Sequence, residues 1–195
     1  MSLLNRWLLV AAAAFLLASA AFAQVTVSGV KFDETTDVRG SKLQLNGAGV
    51  RYKAVFKVYT AGLYLSKKAG TPEEVLAMPG AKRMNITMLR EIDSSELGKL
   101  FSRGMEDNME KAAFSKLIPG VMRMSQIFSD HKRLMPGEQF TIDWVPGVGT
   151  VITVKGVVQG EPFKEPEFFS ALLRIWLGPN PADWKLKEAL LGKAA

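Results

Sequence analysis

The chain contains no cysteine. That excludes disulfides, thiol nucleophiles and zinc–thiolate sites. It has one histidine, His131, too few for a multi-histidine metal centre and a poor start for a Ser-His-Asp triad. His131 sits in Ser-Asp-His-Lys-Arg at the end of a predicted helix, where a cation suits the dipole. Long runs of one charge are missing as well. The net charge of +6 is dispersed over pairs such as Lys67/Lys68, Lys82/Arg83 and Lys132/Arg133. No recognition helix or aromatic–basic repeat goes with them. The pattern fits a solvated basic surface with possible weak membrane-surface contact, not a nucleic-acid site. The glycines of Pro146–Gly156 do not make a phosphate loop, because no Gly-Lys-Ser/Thr closes them and no helix follows directly. No cofactor and no metal are implied.

What is present begins with a targeting segment. Arg6 precedes an apolar run from Trp7 to Leu17, and small residues follow to Ala21-Phe22-Ala23. This is the layout of a cleavable secretory signal, 1–23, with the mature chain starting at Gln24. The apolar run is shorter than the ~20 residues of a spanning helix. Residues 24–195 have the length of one domain, able to bury a core without crosslinks.

Strand and helix signals alternate along that domain. Val25–Phe32 reads as a strand followed by a polar connection, DETTDVRGS. Leu43 and Leu45 open a second strand ending at an Asn46-Gly47 turn. Thr71, Pro72 and Glu74 form a capping box for a short helix, and Lys82–Arg90 alternates again. Asp93 and Glu96 start a long helix with Leu97, Leu100, Phe101, Met105, Met109 and Ala112 on its apolar stripe. Asn108 falls on that stripe and needs a hydrogen-bond partner if buried, from backbone or from a ligand. Pro119-Gly120 predicts a break, with a further helix from Val121 to about Lys132. Phe140, Ile142 and Trp144 predict a strand that turns at Pro146–Gly149 and returns antiparallel. Pro166–Leu177 predicts an apolar helix ended by Gly178-Pro179. A last helix is expected from Pro181, with Asn180 as its cap and Gly192 as its stop. The nine methionines suit adaptable core filler or a pliable apolar pocket alike.

The stretch Asn46–Leu65, NGAGVRYKAVFKVYTAGLYL, combines glycine punctuation, alternation and an arginine–tyrosine pair. Read as one strand, Val50–Val58 puts Arg51 and Tyr59 on the same face, roughly 26 Å apart. That is too far to grip one small anion. They meet only if the chain breaks between Arg51 and Val55.

This stretch, together with FFSALLRIWLGPNPADWKLKEALLG near the C-terminus, resembles the chalcone isomerase superfamily. Its tyrosine-bearing KVYTAGLYL run is more similar to the non-catalytic fatty-acid-binding members and bacterial secreted members than to the plant enzymes. The resemblance implies an α+β fold, an open-faced sandwich of a broad antiparallel sheet with a layer of helices on one face. A ligand cleft is expected between the two layers. In the plant enzymes an arginine favours the phenolate while hydroxyl and amide groups polarise the ketone. Carried over, Arg51 and Asn108 match. Tyr59 stands where the plant strand has threonine, Phe101 replaces a tyrosine, and Ile175 replaces a later hydroxyl residue. A lost donor at developing charge costs about 10²–10³ in rate. The resemblance therefore implies a periplasmic binding protein holding a fatty acid or similar apolar carboxylate, with Arg51, Tyr59, Asn108, Phe101 and Ile175 at the site. The alternatives are an intramolecular lyase acting on a flavonoid-like substrate, and a periplasmic scaffold without a small ligand.

Overall fold

The computed structural model describes residues 24–193; the targeting segment, 1–23, lies outside the described residues. Eleven strands and five helices follow one another in the described chain. The body is a seven-stranded, wholly antiparallel sheet. From one edge to the other it runs through β11 (Val157–Val158), β10 (Gly149–Val154), β9 (Gln139–Val145), β6 (Lys82–Met88), β5 (Phe56–Leu65), β4 (Ser41–Lys53) and β3 (Thr35–Val38). Two short hairpins stand apart, β1 (Gln24–Val27) with β2 (Val30–Asp33), and β7 (Ile92–Asp93) with β8 (Arg133–Leu134).

The helices are α1 (Pro72–Ala77), α2 (Ser94–Glu106), α3 (Lys111–Ser129), α4 (Pro166–Leu177) and α5 (Trp184–Leu190). All helical core residues belong to one cluster, in which Met105, Met124, Phe128, Leu172 and Trp176 meet Leu63, Ile86, Ile142 and Ile152 of the sheet. Each of these large side chains contributes roughly 1.5–3 kcal/mol by leaving water. A smaller cluster lies on the other sheet face, where Phe32, Leu43, Leu45 and Tyr64 pack together. The sandwich is therefore not bare there, because the β1–β2 hairpin lays Phe32 across Gly62. A methyl group at Gly62 would sit 2.6 Å from that ring.

Several boundaries differ from the sequence expectations. The first strand is a hairpin, because Ser28 and Gly29 both adopt positive φ (47° and 83°) and make a two-residue turn. Arg39-Gly40 does the same (50° and 84°), turning the expected polar connection into β3. Both pairs of angles fit the mirror-image turns that match strand twist. Asn46-Gly47, in contrast, is no turn. It is a bulge inside β4, and the buried Asn46 amide bonds Ala69 and the Leu190 carbonyl at 2.7–3.0 Å. Gly47 lets α5 lie directly on the strand, since a Cβ there would fall 2.0 Å from the Ala189 carbonyl oxygen.

The helical breaks shift in the same way. α2 ends at Glu106, before Met109 and Ala112, while α3 runs through Pro119-Gly120 without stopping. Proline removes a hydrogen bond but is outweighed here by packing: Gly120 faces Phe168, whose ring would be 2.9 Å from an added Cβ. The last helix starts at Trp184, capped by Asp183 rather than Asn180. Elsewhere the capping box of α1 and the full span of α4 match the sequence pattern.

Candidate functional site

The stretch read as one strand from Val50 to Val58 is a hairpin. β4 reaches Lys53, the chain turns through Ala54-Val55, and β5 begins at Phe56. Ala54 takes a positive φ of 54°, which no glycine announced. A register shift between Arg51 and Tyr52 leaves Val58 as an extra residue, so that Arg51 stands directly opposite Tyr59. The guanidinium carbon lies 5.6 Å from the centroid of the Tyr59 ring, a cation–π contact.

Tyr59 is almost fully buried. Its hydroxyl oxygen accepts a 2.8 Å hydrogen bond from the indole Nε1–H of Trp176 on α4. Trp176 is buried too, with its ring edge-on to Phe101 at 5.4 Å. Burial pushes the phenol up to about 12; the Arg51 charge and the indole bond oppose that rise, and Asp183 adds to it. The phenol is consequently neutral at ordinary pH and retains its O–H. Among the described residues no acceptor takes that proton, so the hydroxyl is a donor with its oxygen already held in place.

Arg51 and Tyr59 form one wall of a cavity of about 170 Å³ between the sheet and α2. Ile92, Leu97, Leu100, Phe101 and Ile175 give it an apolar lining, and Pro181 and Ala182 close one side. Arg103, Asp107 and Asn180 add polar groups. Both arginines reach solvent in part or in full, which marks the polar end as the mouth.

Four of the five residues singled out by sequence thus share this cavity: Arg51, Tyr59, Phe101 and Ile175. Asn108 does not line it. Its amide nitrogen donates to the Gly104 and Asn180 carbonyls at 2.8 and 2.9 Å, and its oxygen accepts the Asn180 N–H at 2.8 Å. Both amide donors are spent on backbone, and the side chain ties the end of α2 to the loop after α4. Asn108 therefore shapes the cavity through Gly104 and Asn180, both of which line it.

Sequence reasoning missed Trp176 and Arg103. A buried tryptophan needs an acceptor for its N–H, which is a signal that a partner exists but not which one. Arg103 carried no signal beyond a charge one turn from the apolar stripe.

No curated protein sequence matches the chain. Among solved structures, a fatty-acid binding protein of Arabidopsis thaliana superposes with a TM-score of 0.68 at 16% identity, covering 87% of this chain and 96% of that one. At that identity the likeness speaks for the fold. The sequence pattern of the chalcone isomerase-like family, in contrast, matches residues 24–192, nearly the whole described chain, and the protein belongs to that family.

Proposed function

We propose that this protein is a non-catalytic binder of a small apolar carboxylate, held in the cavity between the sheet and α2. The observation that carries the reading is the pairing of Arg51 with Tyr59 at the head of an apolar chamber. A permanent cation and a fixed neutral phenol give a carboxylate one charge-assisted and one ordinary hydrogen bond. Phe101 and Ile175 offer only hydrocarbon to the rest of the ligand, so no group there polarises a ketone. The Arabidopsis neighbour, a fatty-acid binding protein, lends the reading support from the same fold.

Size narrows the ligand. A cavity of about 170 Å³ is close to the roughly 150 Å³ engineered cavity that takes benzene. It encloses a ring or a short chain, and the tail of a long fatty acid would have to leave through the mouth or spread α2 from the sheet. Calorimetric titration with octanoate, octanol and palmitate tests the proposal. Arg51→Ala should weaken octanoate by about 2 kcal/mol, about thirtyfold, and leave octanol nearly unchanged. Equal octanoate affinity in the variant and the parent would refute it.

The targeting layout of residues 1–23 supports a further part of the reading, that the binder acts in the periplasm after cleavage behind Ala23. The intact mass of protein from a periplasmic extract tests this, and a mass retaining those residues would end it.

A further inference from the structure

The hairpin that carries Arg51 continues past the sheet. β6 pairs with β5 only from Tyr59 onward, so residues 52–57 form a two-stranded ribbon bonded only to itself on that side. Every one of them is exposed. Val55 is 82% and Phe56 59% accessible, and Tyr52 39%. Trp184, 61% accessible, flanks the ribbon and shares a surface depression with Tyr52, Ala54 and Lys185. The Tyr52 N–H donates to Asp183 at 2.8 Å, which fixes the ribbon beside the start of α5.

Cations surround these apolar groups. Lys53 and Lys57 are cross-strand partners of Phe56 and Tyr52. The Arg90 guanidinium lies 5.3 Å from the Phe56 ring centroid and Lys187 Nζ 4.9 Å from that of Trp184. Among the described residues, Lys53, Lys57, Arg90 and Lys185 have no carboxylate within ion-pair distance. The nearby acids are engaged: Glu91 with Arg133, Glu96 with Lys99, Asp93 and Asp183 as helix caps. The tip thus presents three aromatic rings and a valine among cations that outnumber the nearby carboxylates not held by a cation, those of Asp93 and Asp183.

We propose that this tip docks the protein on the surface of an anionic lipid bilayer. Aromatic rings with a polar edge settle at headgroup depth. Lysine and arginine stems lie along the apolar groups while their heads meet lipid phosphates. The open carbonyl and N–H groups of the ribbon's flanks limit insertion to that shallow level, since none is affordable in hydrocarbon. A second copy of the chain would bring like charge against like charge, which disfavours it as the occupant.

Co-sedimentation of the purified chain with vesicles tests this independently of any carboxylate titration. Vesicles of equal phosphatidylglycerol and phosphatidylcholine should bind the protein, and pure phosphatidylcholine vesicles should bind it far less. Binding should fall as salt is raised. Lys53→Gln with Lys57→Gln should lower partitioning about thirtyfold, and Val55→Ser with Phe56→Ser about tenfold. All four positions are exposed, so an unchanged unfolding midpoint and unchanged octanoate binding show that the fold survives. No binding to anionic vesicles at low salt, equal binding to neutral ones, or unaltered binding by both variants would overturn the proposal. So would lipid-free self-association that the Val55/Phe56 variant abolishes, which would assign the tip to a second copy.

Discussion

Replacing Tyr59 by phenylalanine removes one oxygen from a side-chain pair that is buried on both sides. The hydroxyl is the only acceptor that the Trp176 indole has among the described residues, at 2.8 Å, and both rings are at most 2% accessible. Without it the N–H is stranded among Phe101 and aliphatic neighbours. A buried donor left unpaired costs about 1–3 kcal/mol, and the new ring fills the same space, so little cavity cost is added. Tyr59→Phe should therefore destabilise by about 2 kcal/mol. Trp176→Phe alone should cost more, because it also empties volume. The double variant strands no indole and should be less destabilised than the two single losses combined, by about 1–2 kcal/mol. Urea unfolding of the four proteins measures this cycle. Additivity within about 0.5 kcal/mol would refute the reasoning and mean that the indole finds another acceptor, such as water entering by the mouth.

Three further outcomes follow from the same geometry. Tyr59 has a folded pKa of about 12 against 10.0 for the free side chain. The folded state then holds the proton more tightly, so its contribution is intact below pH 10 and is lost as pH rises towards 12. That loss should approach about 3 kcal/mol in urea titrations across this range and should vanish in Tyr59→Phe, leaving a comparable loss from the buried Tyr64, whose phenol is likewise pushed up to about 12. Ala54→Gly should stabilise by about 1 kcal/mol, because the left-handed φ of 54° is strained for alanine; an unchanged or lowered midpoint would count against this. Finally, the purified protein should not accelerate chalcone cyclisation over background. A protein-dependent rate that falls in Arg51→Ala would reinstate the lyase reading.

Much of the fold was legible where punctuation is local. α4 spans Pro166–Leu177 because a proline opens it and Gly178-Pro179 follows, and α1 is written in Thr71, Pro72 and Glu74. Alternation located β6 and β9. Two of the errors were decided by distant segments. Asn46-Gly47 has the composition of a turn, but its amide is claimed by Ala69 and Leu190, and its glycine by α5. Pro119 has the composition of a break, but the groove between α3 and Phe168 keeps the helix whole. Ser28-Gly29 and Arg39-Gly40 are turns whose first residue is not the usual asparagine or aspartate, and so the hairpins they make went unread.

The site shows the same division more sharply. Its chemistry was readable: an arginine and a tyrosine near one another, with Phe101 and Ile175 where other groups would supply hydroxyls. Its geometry was readable only as a condition, that the chain break between Arg51 and Val55, and two features without a sequence signature meet it. The first is a turn at Ala54-Val55, with no glycine, asparagine or proline in it. That turn alone pairs Lys53 with Phe56 and Tyr52 with Lys57, and a regular ladder continued from there would set Arg51 opposite Val58. Tyr59 would then pair with Val50 and point to the other face of the sheet. The second feature is the bulge at Val58, which advances β5 by one residue and swings Tyr59 across from Arg51. The cation and the phenol share a cavity because of that one extra residue. Bulges are set by how a strand must twist to meet its neighbours, here β6 at Met88 and α4 at Trp176. A reading confined to the hairpin's own residues therefore has the right ligands and no means of bringing them together.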